Sequence, residues 1–183
     1  MHSGSNSSAW ITRFAPLIPR GATVLDLACG NGRHARYLHS LGLQVTGVDR
    51  DSAAINGLRS EIPGAWMTAD IENGPWPLPQ AQYDAVVVTN YLWRPLWPHI
   101  LGSVAAGGLL LYETFAVGNE AFGKPSRADF LLQPGELLQV CAGWHIVAFE
   151  QGLLRSPDRA VQRIAARKPG IGTEAPLQPL YTV

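Results

Sequence analysis

The chain has 183 residues, 46% hydrophobic and 15% charged, with 14 basic and 14 acidic side chains in balance. That length and composition hold one domain with its own core and exclude a disordered chain. The zero formal charge speaks against a nucleic-acid partner, and apolar runs such as residues 85–88 are too short to span a bilayer.

Along the chain, residues 1–20, with Trp10 and Phe14, suggest an N-terminal helix or cover. TVLDLA (residues 23–28) is a buried strand, and Gly30 and Gly32 make the turn after it. Ala35, Leu38 and Leu41 recur at helical spacing, and Gly42 is placed to end that helix. LQVTGVD (43–49) is a second strand, and Asp51 or Ser52 caps a helix with Ala54, Ile55, Leu58 and Ile62 on its inner face. AWMTAD (65–70) is a third strand, and YDAVVVTN (83–90) is a fourth, wholly apolar one.

Trp93, Leu96, Trp97, Ile100 and Val104 mark a helix stopped by Gly107-Gly108, and LLLYETF (109–115) is the fifth strand. Strands alternating with helices in this way mean a parallel sheet covered on both faces. A short helix then begins at Pro134, and the strands WHIVAFEQGLL and RAVQRIAARK follow, joined by so few residues that they must pair antiparallel. The basic residues from Arg155 to Lys168 read as a solvated strand and its flanks. The expected organisation is one domain over 1–183, with a core over 21–168 and an irregular tail over 169–183.

Cys29 and Cys141 form neither a Cys-x-x-Cys pair nor a zinc spacing, and MHSGSNSSAW lacks the apolar stretch of a signal peptide. The expected setting is cytoplasmic, with reduced thiols. His34 and His39 are wrongly spaced to share a metal, so no metal site is expected, and His34 reads as a surface residue.

The chemistry gathers at strand ends. Glycines after the first strand let a ligand approach the backbone closely, and Asp49, ending the second strand, can accept both hydroxyls of an adenosine ribose. A dinucleotide would bring a pyrophosphate to this turn, where Asp26 repels it. Asp26, Asp49 and Asp70 at three adjacent strand ends suit a cationic, phosphate-free cofactor such as S-adenosylmethionine.

The ordered strings VLDLACGNGRHARYL, VTGVDRD, TADIENG, YDAVVVTN and GGLLLYETF resemble the motifs of class I S-adenosylmethionine-dependent methyltransferases. Within them, CGNGRHA and LLQPGELLQVCAGWHIVAFE are most similar to the tellurite-resistance branch. The resemblance implies a Rossmann-like α/β fold whose seven-stranded sheet is mostly parallel, with the last strand antiparallel and helices on both faces. It implies Gly30 and Gly32 beside the methionine part, with Ala28 and Asp26 at the same turn. Asp49 and Arg50 fall at the ribose, Asp70 and Ile71 at adenine, and Asn90 and Tyr91 at the sulfonium. In the tellurite branch a His-Arg pair near the sixth strand is associated with catalysis; here GLLRSPD keeps only Arg155, which with Tyr91 makes the catalytic candidates.

The fourth strand exits as TNYLWRP rather than Asn-Pro-Pro-Tyr, which points away from amide or base nitrogens as acceptors. A soft nucleophile such as a thiol, a selenide or a tellurite-like species needs no base, and none is evident. Tyr91 and Phe115 are expected in the acceptor pocket, Trp93 and Trp97 on a shared helical face in the core, and residues 116–135 as a lid. The protein is expected as a monomer or weak homodimer. A dinucleotide oxidoreductase and a non-catalytic cofactor-binding domain are the alternatives.

Overall fold

A computed structural model describes residues 7–170. Its strands are β1 (Thr23–Leu27), β2 (Gln44–Asp49), β3 (Ala65–Thr68), β4 (Tyr83–Thr89), β5 (Val104–Phe115), β6 (His145–Leu154) and β7 (Arg159–Arg167). The helices are α1 (Ala9–Phe14), α2 (Arg33–Ser40), α3 (Ser52–Glu61), α4 (Trp97–Gly102) and α5 (Glu136–Val140). The strands form one sheet in the order β3-β2-β1-β4-β5-β7-β6. β1 to β5 pair in parallel, and β7 runs antiparallel between β5 and β6.

Alternate residues of each central strand serve opposite faces, both of them covered, which is why these strands are mostly apolar on both sides. Val24, Val45, Ala85, Val87, Leu109 and Leu111 face α1, α2 and α3, where Trp10, Phe14, Leu38 and Ile55 are buried. Leu25, Leu27, Val86, Val88, Leu110 and Tyr112 face the other way, toward Ile100 of α4 and Leu137 of α5. α3 starts where expected, because the Asp51 carboxylate accepts from the Ala53 and Ala54 N–H groups.

Several expectations change. The helix over 93–104 shrinks to one 3-10 turn (Arg94–Leu96) and α4, with Trp93 extended at φ −142° and ψ 99°. Pro95 and Pro98 each sit in the first turn of one of these short elements, where a proline is tolerated because its missing N–H would have no partner there, and neither can lie in the interior of one longer helix. Trp93 and Trp97 therefore do not share a helical face. β5 begins at Val104 rather than 109, absorbing Gly107 (φ 76°) through a register shift against β4.

β3 ends at Thr68, leaving Asp70 in a turn. β7 is interior rather than solvated: Arg163 pairs with Glu113 and Glu150, and the Lys168 ammonium donates to the Leu101 and Val104 carbonyls. Of the N-terminal helix or cover expected over 1–20, residues 9–14 form a helix. α1 lies against the sheet, its Trp10 indole donating to the Ile164 carbonyl. Of the expected irregular tail, residues 168–170 have no regular structure and the rest lies outside the described residues.

Candidate active site

Strand order reverses between β1 and β4, and α/β sheets bind ligands beyond the carboxyl ends of the strands at such a point. Both strands leave the sheet through a non-glycine residue in the left-handed region, Ala28 and Asn90, each at φ 53°. The chain turns sharply at both exits and opens the space between them.

The glycine turn is held from below. The Asp49 carboxylate accepts from the Gly30 N–H at 2.7 Å and the Asp51 N–H at 2.9 Å, so it is oriented before any ligand arrives. Gly32 (φ 72°) is the N-cap of α2, and a Cβ there would lie 2.3 Å from the Leu58 side chain. A Cβ on Gly30 (φ 51°) would meet nothing within 4 Å, so room lies open beside that turn.

Asp26 is 1% exposed, and its Oδ2 is buried without a hydrogen-bond partner. Burial pushes its carboxyl up from 3.8 to about 7, against the opposing pull of the Ala35 N–H and the Arg33 charge. A buried carboxylate with a free oxygen is suited to a cation.

A cavity of about 270 Å³ sits at these strand ends, and its wall includes Ala28, Asp49, Arg50, Asp70, Ile71 and Tyr91. Sequence reasoning missed three more wall residues, Ala69, Glu72 and Phe130. A second cavity of about 230 Å³ shares Glu72, Tyr91 and Phe130 with the first and adds Asn90 and Phe115. The Tyr91 hydroxyl is buried without a partner; burial first, then the Glu72 and Asp70 carboxylates, push its pKa up.

Asp70 is fixed by its own turn. It accepts from the Glu72 N–H at 3.0 Å, the Asn73 N–H at 3.1 Å and the Asn73 amide at 3.0 Å, bonds that lower its pKa. Asp26, Gly30 and Gly32 lie outside the lining of both cavities. Arg155 also lies outside both linings. It sits in the β6–β7 turn, 72% exposed along its side chain and paired with Asp158 at 2.7 Å.

His34 is buried, not a surface residue, at 1% exposure. Its Nε2 accepts from the Ser8 N–H at 3.2 Å, so Nδ1 carries the proton and faces Thr89 Oγ1 at 3.1 Å. Burial lowers its pKa from 6.5 to about 4. The neutral ring thus ties the start of α1 to the exit of β4.

The segment after β5 returns over the cavities and is clipped down by Arg94. That guanidinium grips Glu136 with two bonds, at 2.7 and 2.8 Å, and donates to the Asp129 and Leu131 carbonyls on either side of Phe130. Neither Arg94 nor Glu72 carries a sequence signal beyond its position after a strand. Among the described residues no cluster of three or more His, Cys, Asp or Glu side chains could hold a metal, and no helix is long and apolar enough to cross a membrane.

The sheet order, with β7 reversed between β5 and β6, is the fold of class I S-adenosylmethionine-dependent methyltransferases. Residues 24–106 match the family described as methyltransferase domain. TehB from Haemophilus influenzae is 22% identical with a TM-score of 0.74, covering 88% of this chain and 62% of its own. A TehB-like S-adenosylmethionine-dependent methyltransferase from Corynebacterium glutamicum is 20% identical with a TM-score of 0.66, covering 91% of each chain. Hemagglutinin 1 of Eikenella corrodens is 28% identical over 167 residues, 80% of this chain and 54% of its own length. The chain therefore spans about half of that relative.

Proposed function

We propose that this chain is an S-adenosylmethionine-dependent methyltransferase acting on a small molecule. The observation that carries the proposal is Asp26, whose buried, unpartnered Oδ2 lies beneath the glycine turn where a dinucleotide would bring phosphate. The other residues fit the same cofactor. The open space at Gly30 accommodates the methionine part, and Asp26 favours its ammonium end. Asp49 stands ready for the ribose, Asp70 and Ile71 border adenine, and Asn90 and Tyr91 border the sulfonium. S-adenosylmethionine supplies an electrophilic methyl group there; the protein aligns the acceptor and excludes water.

The reading carries with it one domain, a cytoplasmic setting, a monomer or weak homodimer, and no nucleic-acid partner. A thiol, selenide or tellurite-like acceptor needs little proton removal, and TehB is a tellurite-resistance methyltransferase. The acidic wall of the second cavity bears against the anionic form of such an acceptor.

Calorimetry with S-adenosylhomocysteine and with NAD tests the cofactor. The expected result is binding of the first alone, weakened in a folded Asp49→Ala variant by the loss of hydrogen bonds worth about 1.5–3 kcal/mol each before compensation. Binding of NAD alone would make the protein an oxidoreductase. Cofactor binding with no turnover of any acceptor would make it a sensing domain.

A further inference from the structure

The second cavity carries information about the acceptor, because its lining holds one ionisable carboxylate and no cation. Glu72 stands on the wall shared with the first cavity, and Tyr91, Phe115 and Phe130 supply three aromatic rings around the remaining space. Resting on the methyltransferase reading, we propose that this cavity takes a cationic amine as the methyl acceptor and that Glu72 receives its proton.

Aromatic rings attract cations through the negative potential of their faces, and a carboxylate among them adds a full charge. An anionic thiolate, selenide or tellurium oxyanion would meet Glu72 directly, with Asp70 two residues away. The nearby cations do not reverse this balance. Arg127 lies over the Phe130 ring at 5.2 Å but is paired with Asp129, and Arg94 is held by Glu136. Arg50 lines only the first cavity, where Asp49 and Asp70 also stand.

Glu72 is also fixed at its backbone. Its N–H donates to the Asp70 carboxylate at 3.0 Å, so the main chain that carries this side chain is held by that turn. The Tyr91 hydroxyl is buried beside the Glu72 carboxylate and interacts with it, so the two polar groups stand together on this wall.

The step balances simply. The ammonium acceptor gives one proton to the Glu72 carboxylate, which frees the nitrogen lone pair. That pair forms the new N–C bond to the methyl carbon while the C–S pair leaves with sulfur. The product departs as an N-methylammonium, and Glu72 returns its proton to water.

The test uses protein saturated with S-adenosylhomocysteine and compares choline with dimethylbutanol, its uncharged carbon isostere. Choline is expected to bind about tenfold more tightly, and Glu72→Gln, also saturated with S-adenosylhomocysteine, to remove most of that preference. In turnover, benzylamine is expected to outpace benzyl mercaptan, with Glu72→Gln slowing the amine by about a hundredfold or more and speeding the thiol, whose anion no longer meets that charge. Equal affinity for the two probes, binding of neither, a preference that survives Glu72→Gln, or faster methylation of the thiol than of the amine by the wild type would each overturn the amine assignment. Failure to bind S-adenosylhomocysteine at all would instead overturn the methyltransferase reading.

Discussion

Asp26 and His34 both bear on the first turn of α2, where the Asp26 carboxyl bonds the Ala35 N–H, and their pKa shifts act on stability with opposite signs. Between 3.8 and about 7 the unfolded chain has ionised Asp26 while the folded one keeps its proton, so this group makes stability fall as pH rises. Between about 4 and 6.5 the unfolded chain protonates His34 while the folded one does not, so this group makes stability rise with pH. The two slopes oppose each other where the windows overlap, each at most about 1.4 kcal/mol per pH unit. Urea unfolding across the overlap should show Asp26→Asn gaining stability relative to the wild type as pH rises, and His34→Gln losing it. Profiles of both variants parallel to the wild type would remove the opposition.

Among the elements, the segment between β5 and α5 brings Pro125 and Phe130 to the cavity walls, and Arg94 ties that segment down. Its two bonds to Glu136 are bidentate, and its two backbone bonds bracket Phe130. Arg94→Met should leave Glu136, only 14% exposed along its side chain, without its partner and release Phe130 from the wall shared by both cavities. The expected signature is a several-fold rise in KM for the acceptor with a smaller change in kcat, and faster hydrogen exchange over residues 128–132. Arg94→Lys should not rescue it, because an ammonium cannot reproduce a planar fork. An unchanged KM would show that the segment holds its place without the clip.

At the scale of the molecule, what could be read in the sequence is what short-range patterns determine. Apolar runs place β1, β2 and β4, and their last residues place Asp49 and Asn90 at the same end of the sheet. The glycine turn follows from its own spacing. Glu72, Phe130 and Arg94 were not legible, because each matters only through a loop that returns from far along the chain. The burial of His34 depends likewise on Ser8, 26 residues away, and on Thr89, 55 residues away. The error over 93–104 was local: apolar spacing suggested a helix where Pro95 and Pro98 shorten one.

The position of β7 bears on how the chain must be made. It follows β6 in the chain, yet it fills an interior slot between β5 and β6. Until Arg159 to Arg167 emerge, β5 presents the unpaired backbone of Leu109 to Phe115 beside some of the most apolar surface in the protein. The earlier strands cannot complete the sheet, so a growing chain stays exposed to misassociation until β7 has emerged. A chain stopped after residue 158 should accumulate as aggregate during translation. The same stop with a peptide of residues 159–168 supplied in trans should recover some soluble protein, and recovery by a scrambled peptide would show that the open β5 edge is not the cause.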